Sequence, residues 1–136
     1  MGSVKIDTEK GARMYEVKYA LNSGGGVKKL LRDRHHISSA QFLGDYNAVD
    51  TLVDLNSAIA SAGLTERQAE SVAWVYGVDL TQADAAAQMG VTRQTVKQSV
   101  DEAAEKIAAV YRKWEYGEIT VEYALDDEDI YETEAA

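Results

Sequence analysis

Three threonines frame the middle of this sequence. Thr65, Thr81 and Thr92 each stand just before a run with helical apolar spacing, and glycines close the first two runs. Thr65 and Gln68 have the spacing of a capping box, in which each residue satisfies a backbone N–H of the other. The helix they open is expected to bury Ala69, Val72, Ala73 and Tyr76 and to stop at Gly77. Thr81 opens a short helix, Gln82 to Met89, which Gly90 stops. Thr92 opens a long one with apolar positions at Val96, Val100, Ala103, Ile107, Val110 and Trp114. Only Val91 and Thr92 separate Gly90 from that last helix, so the two helices must cross at once. This is the layout of a helix-turn-helix. Gly90 supplies the positive φ the turn needs. Ala86, four residues earlier, is small where the helices touch, and Val96, six residues later, fills the wedge between them.

Composition bounds the rest. The chain has 136 residues, which fits one domain, or one domain with appendages. It contains no cysteine, so it has neither a disulfide framework nor cysteine-ligated zinc. His35 and His36 are the only imidazoles, and neighbours in sequence rarely converge on one ion, so neither a metal nor another cofactor is expected. No apolar run approaches the roughly 18 residues of a bilayer span, and no signal-peptide stretch opens the chain. A cytoplasmic protein without membrane contact is expected. The net charge of -9 at first argues against nucleic acid, because phosphate contacts dominate that affinity. Its distribution changes the argument: residues 1–26 carry +1, residues 27–63 are neutral, residues 64–116 carry -2 and residues 117–136 carry -8. The body is nearly neutral, and the acidic excess sits at one end.

The strings Leu64-Thr65-Glu66-Arg67-Gln68, Tyr76-Gly77, Leu80-Thr81-Gln82-Ala83-Asp84-Ala85-Ala86 and Met89-Gly90-Val91-Thr92-Arg93-Gln94-Thr95-Val96-Lys97 carry a resemblance. Together they resemble region 4 of sigma-70-type RNA polymerase sigma factors, over about residues 52–112, and are similar to short phage- and prophage-encoded sigma-like regulators. Ala85 stands where the family usually has isoleucine or leucine. Asp101, Glu102 and Glu105 stand on a helix that is more basic in the family. The resemblance implies that the last helix enters the major groove of promoter DNA and that the module docks on the β-subunit flap of bacterial RNA polymerase.

The residues themselves suggest how such contact would be made. Arg93, Gln94, Lys97 and Gln98 occupy the solvent side of the first two turns of the last helix, where side chains reach base edges. Arginine pairs with guanine and glutamine with adenine. Thr81, Gln82 and Thr92 lie near helix N-termini suited to phosphate, and Arg67 is a further phosphate candidate. The bland alternative is that all of these are ordinary caps and solvated side chains. A second basic cluster, Lys28, Lys29, Arg32, Arg34, His35 and His36, fits either a DNA- or polymerase-contacting arm or a solvated helix with Leu30 and Leu31 turned inward. No phosphate-binding glycine loop, cysteine nucleophile or convergent His/Asp/Ser set supports an enzyme. Trp74 and Trp114 sit on apolar helix faces, as core residues do.

The ends read differently. Tyr15, Val17, Tyr19 and Leu21 alternate with polar residues, as do Ile119, Val121, Tyr123 and Leu125; two amphipathic strands of this kind fit either one small sheet, with Lys18 near acidic partners, or two frayed tails. Val4-Lys5-Ile6 is a candidate third strand through the turn Thr8 to Gly11. Gly24-Gly25-Gly26 has the freedom of a linker. Met1-Gly2-Ser3 has the composition of a cloning remnant, and whether residues 1–26 are native or engineered stays open. Asp45 is placed to cap a helix through Val49, Leu52, Val53, Leu55 and Ile59 that ends at Gly63, with one more turn from Ser39 to Leu43. Residues after Leu125 are too charged to pack.

The expected fold is therefore mainly α, a helix-turn-helix bundle with short β-strands near both termini. Its segments are an N-terminal strand and glycine linker (1–26), a basic segment and helix (27–63), the helix-turn-helix (64–116), and a short strand with an acidic tail (117–136). The expected function is a sigma-like transcription regulator. Its partners are double-stranded DNA, bacterial RNA polymerase and, in some arrangements, further copies of itself. A phage small terminase or recombination subunit is one alternative. A protein-interaction regulator acting through the acidic tail is another.

Overall fold

A computed structural model describes residues 13–39 and 46–125. The elements in chain order are β1 (Arg13–Ala20), α1 (Gly24–Ser39), α2 (Tyr46–Ser61), α3 (Glu66–Val72), α4 (Gln82–Met89), α5 (Arg93–Lys113) and β2 (Glu118–Leu125). The expected mainly helical fold, with strands near both ends, is the one observed. The candidate strand at Val4-Lys5-Ile6, the cap at Asp45, the turn from Ser39 to Leu43 and the acidic tail fall wholly or largely outside the described residues.

The two ends of the chain meet in one antiparallel sheet. Val17 pairs with Val121 and Tyr19 with Ile119, on a face that turns toward the core. Lys18 lies opposite Thr120 on the other face, and Glu118 is two positions along from Thr120 on β2. A two-stranded ribbon is marginal by itself. Here it is held because Tyr19, Leu21 and Val121 are buried against α1, α2 and α5.

The three glycines are not a linker; they form the first turn of α1. Ser23 caps that turn: the Gly26 N–H donates to its Oγ (3.2 Å), and the Val27 N–H donates to its carbonyl (3.1 Å). The chain reverses so tightly from β1 into α1 that a Cβ on Gly26 would overlap the Ala20 carbonyl oxygen. A glycine run signals freedom in an isolated chain; at Gly26 the glycine is required by close approach instead. Farther along α1, Val27, Leu30, Leu31 and Ile37 are fully buried. Asp33, also buried, accepts from the Tyr19 hydroxyl (2.8 Å) and from Arg32 Nε (3.0 Å).

α2 contributes Leu55 and Ala58 to the same core and ends before Gly63, whose φ is +66°. Its expected apolar face is only partly used, since Val49 and Val53 are 42% and 56% exposed. α3 also departs from expectation. The capping box of Thr65 and Gln68 is present, and Val72 is buried and Tyr76 half-buried as expected, but Ala69 and Ala73 are exposed, and Gln68 and Ser71 are buried instead. The apolar spacing misplaces the face because both polar residues find partners. Gln68 bonds across to α5, and Ser71 Oγ donates to the Arg67 carbonyl (2.8 Å). A single π turn, Ala73–Gly77, continues α3.

α5 organises the whole. At 21 residues it is about 31 Å long. Its N-terminal half packs Val96 and Val100 against Ala85 and Ala86 of α4, with Trp74, Met89 and Val91 around them. Its C-terminal half packs Ala103, Ala104, Ile107, Ala108 and Tyr111 into the core shared with β1, β2, α1 and α2. Trp114 is not core: it is 39% exposed, edge-on to Tyr111 at 5.6 Å.

Candidate nucleic-acid interface

The turn between α4 and α5 is built by local chemistry. The Thr81 hydroxyl accepts from the Asp84 N–H (3.1 Å) and opens α4. Gly90 closes α4 with φ +70° and ψ +33°, and the Val91 N–H reaches back to the Ala86 carbonyl (3.1 Å). The Thr92 hydroxyl then accepts from the Thr95 N–H (3.1 Å) and opens α5. Ala85 and Ala86 are buried against a fully buried Val96, so the crossing is close and the contact residues are small.

This geometry turns one side of the first two turns of α5 to solvent. Arg93, Gln94, Lys97 and Gln98 are all exposed. Lys97 Nζ bonds Asp101 (3.1 Å) and Gln98 Nε2 bonds Glu102 (3.1 Å), each one turn ahead on the same helix. Arg93 and Gln94 make no side-chain hydrogen bond to another described residue. Thr92 and Thr81 are exposed at the N-termini of α5 and α4, and Gln82 is half-buried beside Thr81. Arg67 is exposed in the first turn of α3.

The three acidic residues of α5 are all engaged by other elements. Asp101 takes Lys28 of α1 at 2.8 Å besides Lys97. The hydrogen bond from Lys28 and that from Lys97 hold its carboxyl below the ordinary aspartate value, and Lys28 is raised in return. Glu102 accepts from the Gln68 amide of α3 (3.0 Å), whose oxygen accepts from Lys106 (2.8 Å). Glu105 accepts from the Gly24 N–H (3.1 Å) at the N-terminus of α1, where a helix favours negative charge. These carboxylates fasten α1 and α3 to α5.

The basic cluster of α1 is dispersed by its helix. Lys28 stands beside Asp101, Lys29 Nζ lies 5.3 Å from the Tyr19 ring centre, and His35 Nε2 is 2.9 Å from the Tyr76 carbonyl oxygen. Leu30 and Leu31 are buried, as the solvated-helix alternative holds. The residue that reading the sequence missed is Lys28 as a neighbour of Lys97; the two share one carboxylate across 73 positions, and no local signal marks that. No group of three or more potential ligands able to hold a metal occurs among the described residues, and no helix there is long and apolar enough to cross a membrane.

The fold and this turn define a helix-turn-helix protein whose second helix presents its N-terminal side chains to solvent. Residues 62–109 match the family model of sigma-70, region 4, and this segment is a region 4-like, DNA-binding helix-turn-helix. The match is narrower than the resemblance in the sequence and leaves out α2, which ends at Ser61. No curated protein and no solved structure matches the chain significantly.

Proposed function

We propose that this protein is a transcription regulator of the sigma-like kind, which contacts promoter DNA through α5 while bound to bacterial RNA polymerase. The observation that carries this reading is the exposed set Arg93, Gln94, Lys97 and Gln98 on the capped N-terminus of α5, within the region 4 match. Arg93 and Gln94 read base edges; Lys97 and Gln98 lie one turn farther along the same face. Thr92, Thr81, Gln82 and Arg67 position the module on phosphates from helix N-termini. Lys28 adds a cation next to Lys97.

The charge balance supports the need for a partner. Residues 64–116 carry -2, and two of the cations near α5 share Asp101. A module with so little excess positive charge gains little from phosphate alone. Tethering to polymerase, whose β-subunit flap is the proposed dock, raises the effective concentration without new DNA contacts. In a gel shift with promoter fragments, the protein alone is expected to bind weakly and the protein with polymerase much more tightly. Equal binding with and without polymerase would remove the partner from the account.

A further inference from the structure

At the end of α5 farthest from the helix-turn-helix, a cleft of about 480 Å³ opens between α2, β2 and the α5 terminus. One wall carries Asp50 and Asp54, a turn apart on α2. The Tyr116 hydroxyl donates to Asp54 Oδ2 (2.6 Å), and Asp50 is exposed at the same wall. Tyr111 lines the same cleft. Its side chain is fully buried, and its hydroxyl has no hydrogen-bond partner among the described residues. Buried polar atoms are nearly always paired, so an unpaired phenol in the wall of a cleft that also carries Asp54 is a feature that packing alone does not account for. Tyr111 and Tyr116 line the cleft with ring centres 5.3 Å apart, and Trp114 packs edge-on against both from outside its lining, so one rim is aromatic.

Negative charge, an aromatic rim and an unpaired hydroxyl suit one ligand chemistry. An ammonium or guanidinium group donates N–H bonds to the carboxylates and to a phenol oxygen, and gains from neighbouring aromatic faces. We propose that this cleft is a binding site for a small organic cation, an amine or guanidine of roughly amino-acid size. The site shares no residue with the DNA-contacting set, so it stands or falls independently of the transcriptional reading.

The test is a titration of the full chain with agmatine, followed by backbone amide shifts. Saturable shifts are expected at Asp50, Asp54, Tyr116 and Thr120, weakened about tenfold or more in Asp54→Asn, as loss of a charge-assisted hydrogen bond implies. Tyr111→Phe is expected to fold with equal or higher thermal stability and yet to bind agmatine more weakly, a pair of effects that a purely structural hydroxyl would not give. Non-saturating shifts, shifts confined to the carboxylates of residues 126–134, or unchanged binding by both variants would overturn the proposal.

Discussion

Single residues carry much of this fold, and two adjacent glycines separate conformational freedom from close approach. Gly26→Ala forces a methyl into the Ala20 carbonyl and is expected to destabilise by about 1–3 kcal/mol, as overpacking does. Gly25 has open space around its Cβ direction, so Gly25→Ala is expected to stabilise by about 0.5–1 kcal/mol as a helix substitution. Chemical denaturation of the two variants checks the contrast; equal effects would contradict the helical reading of this turn. Residues whose job is local were legible in the sequence. Gly90 sits where the turn needs a positive φ and has one of +70°, and Val96, six residues on, is fully buried. Residues whose partners come from elsewhere were not. The burial of Gln68 and Ser71 has no local sign; it depends on Glu102, Lys106 and Met89 being brought to them. Asp101 stands on a helix that is more basic in the resembling family, and Lys28 turns it into a fastening between α1 and α5.

Elements were legible where their ends are chemically marked. The threonine caps at 65, 81 and 92 and the glycine at 90 set the helix boundaries as expected, because capping is satisfied within one turn. The end of α5 had no such mark. The Glu115 N–H bonds the Arg112 carbonyl (3.0 Å) and the Tyr116 N–H bonds the Tyr111 carbonyl (2.9 Å), a Schellman arrangement that puts Glu115 at φ +62°. Glycine is the residue that position prefers, so Glu115→Gly is expected to stabilise by about 0.5–1 kcal/mol in thermal melts; destabilisation would mean the turn depends on the glutamate side chain. The strands were recognisable from their period of two, and their mutual pairing follows because each has one apolar face and only α1, α2 and α5 to cover it. The rotation of α3 was hidden, since alanines at 69 and 73 fit either face.

At the scale of the molecule, α5 joins two cores, one made with α4 and one made with the sheet, α1 and α2. The second core has a pH signature. Burial, then the Asp54 carboxylate and Tyr116, push the Tyr111 phenol well above its ordinary value of 10.0. Burial raises Tyr76, and the hydrogen bond to Asp54 raises Tyr116. An unfolded chain loses these protons first, so the stability they contribute is complete below pH 10.0 and falls as pH rises above it. Tyr111→Phe is expected to move alkaline unfolding to higher pH, read by circular dichroism; an unmoved midpoint would mean that Tyr111 does not set this edge.

The charge of -9 resolves on this scale into a nearly neutral body carrying a helix-turn-helix, with most of the excess in residues 117–136. The central claim is that the first turns of α5 read promoter DNA. Its most direct test is the affinity of the protein for promoter fragments, with RNA polymerase present, measured against salt for the wild type and for Arg93→Ala/Lys97→Ala. The account predicts that the double variant binds at least about tenfold more weakly and that its dependence of log affinity on log salt is shallower by about 1–2. The same affinity and the same salt slope in both proteins would contradict it.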